Sequence, residues 1–156
     1  YKGGYTSYDS INDLHQRFPD FIELRKKIDD HVKNYAKSLK WDLMGKKLQM
    51  TVSWISIMSQ HTYHTMHIHP LSVISGTYYI DIPKGSSSIK LEDPKLPYLM
   101  NSPPKKARIK AEEKNYYNIP AKSGQVVLFE SWLRHEVPPQ PINDNRVSFS
   151  FNYEWF

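Results

Sequence analysis

Three imidazoles and one guanidinium are spaced along this chain as a metal site with an anion grip would need them. The run reads His67-Ile68-His69, then His135, then Arg146-Val147-Ser148. Three imidazole nitrogens can hold one open-sided transition metal, and imidazole suits iron, copper, nickel and zinc alike. On an extended strand, side chains two apart face the same way, so His67 and His69 point to one face together while Ile68 points to the other. The same parity includes His61, Tyr63 and Thr65 and sets His64 on the opposite face. His61 and His64 are expected beside the substrate or behind the ligands. His15 and His31 fall in a helical stretch and read as surface residues.

Arg146 lies in a strand-like run, Arg146 to Asn152. Alternation gives Arg146, Ser148, Ser150 and Asn152 one polar face, and Val147, Phe149 and Phe151 an apolar one. A guanidinium on a cavity wall can grip a carboxylate through two parallel hydrogen bonds, with a serine hydroxyl as a third contact. The structural alternative is a buried ion pair with an Asp or Glu.

These residues need elements to position them. Phe21, Leu24, Ile28, Val32, Tyr35 and Leu39 recur every three or four residues and predict one helix with an apolar face. Pro19 suits its first turn, and Ser10 caps a shorter helix before it; the helical region spans about 10–40. From Leu48 the pattern becomes strand-like, with candidates at 48–58, 61–69, 73–82, 87–91, 115–119, 124–130, 135–138 and 146–155. Turn signals separate several of them, among them Pro83-Lys84-Gly85 and Pro138-Pro139. A helix followed by about eight short strands predicts a mainly β sandwich or barrel with helical buttresses. The polar, proline-bearing stretch 92–114 is expected to be a lid or an insertion loop.

Bulk composition narrows the chemistry. The chain has 156 residues, which suits one domain, 1–156. It has no cysteine, so disulfides, thiolate metal sites and cysteine nucleophiles are excluded, and any metal must be held by nitrogen and oxygen. Hydrophobic content of 39% with 24% charged residues reads as a globular chain. No apolar run reaches the roughly 20 residues needed to span a bilayer, so no membrane role is expected. Lys and Arg number 21 against 16 Asp and Glu, but no aromatic-interleaved basic motif points to nucleic acid. The chain opens on Tyr1 rather than Met and shows no basic-then-apolar leader. The expected location is the cytoplasm, or a host's cytoplasm if the gene is a phage's.

The ordered set of His67-Ile-His69-Pro70, Ser75-Gly76-Thr-Tyr78-Tyr79, Glu92-Asp93-Pro94, Pro120 to Phe129, His135 and Arg146 to Asn152 resembles the 2-oxoglutarate- and Fe(II)-dependent dioxygenases. The likeness is nearest to their bacterial and phage branch and covers roughly 48–155. The opening Gly-Gly-Tyr-Thr-Ser-Tyr stretch is similar to that branch too. The resemblance implies a double-stranded β-helix, a cupin-like jelly roll. It implies Fe(II), 2-oxoglutarate and O2 as cofactors, with His67, His69 and His135 at the metal. Arg146 and Ser148 would hold the distal carboxylate of 2-oxoglutarate. Tyr79 would add a hydroxyl, with Tyr78 the second choice. Tyr63, His64, Trp132 and Asn152 would lie on the substrate side or behind the ligands, and the 92–114 loop would line the mouth. The implied reaction is hydroxylation of a C–H bond, with release of succinate and CO2. The primary substrate is not legible; a protein or peptide side chain and a small molecule both fit.

One position departs from the family pattern. The superfamily has His-x-Asp or His-x-Glu where this chain has His67-x-His69. Three readings stay open: His69 ligates, a carboxylate such as Glu130 or Asp81 completes the set, or water does. Two other function classes also remain: a cupin-type three-histidine dioxygenase that does not use 2-oxoglutarate, and a non-catalytic jelly-roll binding module.

Overall fold

The computed structural model describes residues 3–156, so Tyr1 and Lys2 of the expected domain lie outside it. Two antiparallel sheets form the body. Strand β1 is Tyr5–Thr6, β2 Leu48–Met58, β3 His64–His67, β4 Ile74–Asp81, β5 Ile89–Glu92, β6 Tyr116–Ile119, β7 Val126–Glu130, β8 His135–Val137 and β9 Arg146–Trp155. One sheet runs β1-β2-β9-β4-β7 and the other β3-β8-β5-β6. From β2 to β9 the chain passes back and forth between the sheets, which is the winding of a double-stranded β-helix, or jelly roll. Eight of the strands match the eight expected. β3 is shorter than 61–69, and β1 was missed because two residues carry no periodic signal.

Helices α1 (Leu14–Arg17) and α2 (Pro19–Ser38) cover the outer face of the larger sheet. Pro19 stands in the first turn of α2, where its missing N–H is of no consequence. Ile28, Val32 and Ala36 are buried against Phe149, Phe151 and Tyr153 of β9, and Phe21 stacks on Phe149 at 4.9 Å. Ser10 does not cap α1. Its hydroxyl turns back to the Ser7 carbonyl, and Asp13 takes the cap position without a side-chain bond. His15 is fully buried rather than on the surface. It sits where α1 meets β2, its Nδ1 2.7 Å from the Ser53 hydroxyl. Helical periodicity in α2 gave no information on this face, because α1 is a separate single turn.

Between the sheets lies a second core of Tyr79, Ile89, Val127 and Phe129. Alternation sends Phe149, Phe151 and Tyr153 outward to the helices and Arg146, Ser148, Ser150 and Asn152 inward. Among the described residues no helix is long and apolar enough to cross a membrane.

Candidate metal centre and anion pocket

His67 ends β3 and His135 opens β8. The two are register partners across the smaller sheet, and their rings lie 4.2 Å apart. His69 arrives differently. The chain has left the strand by then, and the His69 amide is tied to the Ser131 carbonyl at 3.0 Å, in the loop that follows β7. This anchor, rather than strand parity alone, brings His69 Nε2 to 3.2 Å from His135 Nε2. One ligand atom from each of His67, His69 and His135 falls within 4.8 Å of the other two.

The far nitrogen of each ring is fixed. His67 Nδ1 donates to the Thr65 carbonyl (2.7 Å) and His135 Nδ1 to the Leu133 carbonyl (2.8 Å). His69 Nδ1 donates to Asn152 Oδ1 (2.7 Å), which also accepts from the buried Ser75 hydroxyl (2.8 Å). With every Nδ1 engaged as donor, each Nε2 lone pair is free, the arrangement that orients metal-binding imidazoles. Protonation does not compete near neutral pH. Burial lowers the pKa of His135 to about 3 and of His69 to about 4, and holds that of His67 below the ordinary 6.5. The donor set therefore suits a divalent transition metal. Among the described residues no carboxylate joins these three. Glu130 faces Tyr35 of α2, and Asp81 is exposed at the end of β4.

His64 does not lie on the opposite face. Its ring is 4.1 Å from that of His67. Pairing of β3 with β8 passes from His64↔Val137 to His67↔His135, three residues against two. The extra residue is a bulge that reverses the parity on one side of it. Burial also lowers the His64 pKa, to about 4.

The histidines form one end of a cavity between the sheets. Arg146 forms the other end. Its Nη1 lies 3.3 Å from the Ser148 hydroxyl and 3.5 Å from Met58 Sδ. It has no carboxylate partner among the described residues, so the ion-pair alternative fails. The guanidinium sits over the Tyr79 ring at 5.0 Å. Arg146 Nε and Tyr79 Oη are both buried without a partner. Two orphaned donors at one end of a cavity cost stability unless a ligand answers them, and a carboxylate would. Burial pushes the Tyr79 pKa up, which keeps that hydroxyl a donor. Tyr78 is not brought here; it points outward into the helix-side core.

Tyr63 and Trp132 are exposed and line neither cavity at the histidines. Nor does any residue of 92–114, so the expected lid stands away from the site. The hairpin stem closes below it, with the Asp93 amide bonded to the Asn115 carbonyl at 2.8 Å. The loop then folds on itself; the Lys105 ammonium reaches the Glu113 carbonyl. The mouth is a second cavity, bounded by Thr6, Tyr8, Asp9, Trp54, Ile68 and Pro70. Trp54 stacks on His69 at 6.0 Å and was missed, although its alternation with Ser56 and Met58 on β2 carried the signal.

A family model described as "Putative 2OG-Fe(II) oxygenase" matches residues 52–152. No curated protein matches the chain. Among solved structures, the chain is similar to an oxidoreductase of the 2OG-Fe(II) oxygenase family from Burkholderia pseudomallei. The TM-score is 0.53 at 15% identity, over 70% of this chain and 46% of that one. It is similar to the non-heme alpha ketoglutarate dependent epimerase SnoN of nogalamycin biosynthesis, with TM-score 0.61 and 12% identity, over 92% and 61%. The carbocyclase SnoK of the same biosynthesis gives 0.60 and 10%, over 96% and 62%. The chain thus spans about half to three-fifths of the length of these structures.

Proposed function

The chain belongs to the 2OG-Fe(II) oxygenase family, which uses Fe(II), 2-oxoglutarate and O2, and from that premise we propose that it is a hydroxylase of a C–H bond, with His67, His69 and His135 holding the metal. The observation that carries this reading is the shape of one cavity. Three converging imidazole nitrogens lie at one end, and Arg146, which meets no carboxylate among the described residues and whose Nε has no partner, lies at the other beside the Tyr79 hydroxyl.

Bound there, Fe(II) supplies the oxidising chemistry: 2-oxoglutarate and O2 become succinate and CO2, one oxygen atom enters succinate, and the other converts R–H to R–OH. The chain's own residues do the positioning. Arg146 takes the distal carboxylate through charge-assisted hydrogen bonds, with Ser148 and Tyr79 as further donors. Phe129, packed on His135 at 4.5 Å, and Trp54 wall the metal end and limit water there. A cupin-type dioxygenase that binds its substrate directly to iron gives Arg146 no task.

The test is succinate formation by protein loaded with Fe(II) and 2-oxoglutarate, with and without O2. Slow, oxygen-dependent succinate release, lost in Arg146→Gln, is the expected outcome. No succinate together with no saturable binding of 2-oxoglutarate would defeat the proposal.

A further inference from the structure

The mouth of the site has a chemical character of its own. Thr6 of β1 pairs with Ser56 of β2. Beyond it, the buried Ser7 locks the chain in place: its amide donates to the Ile55 carbonyl, its hydroxyl to the Ile11 carbonyl, and that hydroxyl accepts from the Ile55 amide. This clamp holds the next two residues, Tyr8 and Asp9, at the rim. Tyr8 meets the buried Trp54 edge to face at 4.9 Å, and Trp54 in turn stacks on His69. An aromatic wall therefore runs from the rim to the metal ligands.

Asp9 lines the same mouth. It is the one charged residue among the described residues that line the mouth, and no cation pairs with it among them. The chain as a whole carries a formal charge of +5, whereas the one charged residue lining the mouth is acidic. A carboxylate and two aromatic rings lining one mouth suit an organic cation, whose charge meets the carboxylate and whose stem lies along the rings.

Building on the oxygenase reading, we propose that the primary substrate is an organic cation. Its amine or guanidine is held by Asp9, its aliphatic stem by Tyr8 and Trp54, and its far end reaches toward His69. The cation is either a free small molecule or a side chain carried on a peptide.

The experiment is calorimetric titration of the protein, metal-free and loaded anaerobically with Fe(II) and 2-oxoglutarate. The blocked probes are Nα-acetyl-lysine and Nα-acetyl-arginine N-methylamides, against their norleucine and glutamate counterparts. Agmatine represents the free cation, and its standing against the blocked arginine probe separates the two sources. The cations are expected to bind about threefold to tenfold more tightly than the norleucine probe. Asp9→Asn, at an exposed position and checked for an unchanged melting temperature, is expected to abolish that preference. Equal binding of norleucine, a preference for glutamate, or a cation preference that persists in Asp9→Asn overturns the proposal. Titration with 2-oxoglutarate is a separate arm. Its failure sinks the oxygenase reading, whereas loss of the cation preference alone leaves that reading standing.

Discussion

At the scale of single residues, the site is built by what stands behind the three histidines. Asn152 presents one oxygen to both His69 Nδ1 and the Ser75 hydroxyl, and this sets the direction of His69 Nε2. Removing such a partner lowers metal affinity by about 10- to 100-fold in comparable sites. Asn152→Ala is expected to weaken Co(II) binding by that factor, followed in the visible spectrum. Asn152→Asp, which keeps an acceptor, should restore most of it. Unchanged Co(II) affinity in the alanine variant would show that His69 does not ligate. At His69 the chain departs from the His-x-Asp pattern. With His69 as the proposed third ligand, a bound metal would keep one more unit of positive charge than with a carboxylate, because imidazole is neutral. His69→Asp is therefore expected to bind Fe(II) more tightly and 2-oxoglutarate more weakly, as read by anaerobic titration of each. Two unchanged affinities would refute the charge argument.

At the scale of elements, one glycine and one loop make opposite demands. Gly76 of β4 faces Phe151 across the β4–β9 pair. A Cβ built there would lie 2.7 Å from two Phe151 ring carbons and 2.7 Å from the Val127 carbonyl oxygen. The backbone oxygen cannot yield without disturbing the β4–β7 ladder. Gly76→Ala is expected to cost about 1–3 kcal/mol in urea unfolding, against near neutrality if the strands slide freely. The 92–114 loop demands little. Its stem closes at Asp93 and Asn115, and none of its residues lines the metal end or the mouth. Replacing 96–112 by a short Gly-Ser turn should leave metal and 2-oxoglutarate affinities within about twofold of the parent, since no buried contact to the site is lost. A larger change would reveal a lid function.

At the scale of the whole molecule, burial of imidazoles makes stability depend on pH. His15, His64, His69 and His135 are each held below the ordinary 6.5, with burial the leading cause. In the unfolded chain these groups bind protons near pH 6.5; in the folded protein they do so only at lower pH. The unfolded state thus takes up more protons below about pH 6.5, and stability falls as pH drops through that window. The melting temperature of the metal-free protein is expected to be level above about pH 7 and to decline below 6.5. His15→Asn, remote from the metal ligands, should make the decline shallower. A melting temperature that rises on acidification would contradict the assignment.

Much of this was legible in the chain. Alternation along 146–155 separated the guanidinium and hydroxyls from the phenylalanines, because a strand with one face on a helix and one on a cavity must alternate. The spacing of His67 and His69 drew attention to this end of the cavity, although His69 lies beyond the end of β3. Tertiary structure decided what alternation cannot encode. A one-residue bulge turned His64 toward His67, and a separate turn of helix buried His15 against Ser53. A backbone bond to Ser131 placed His69, and a clamp through Ser7 carried Tyr8 and Asp9 to the mouth. Each of these depends on a partner distant in sequence, and periodicity reports only the geometry of a segment with itself. The residue types determined which chemistry was available; contacts between remote segments decided which of those residues share a cavity.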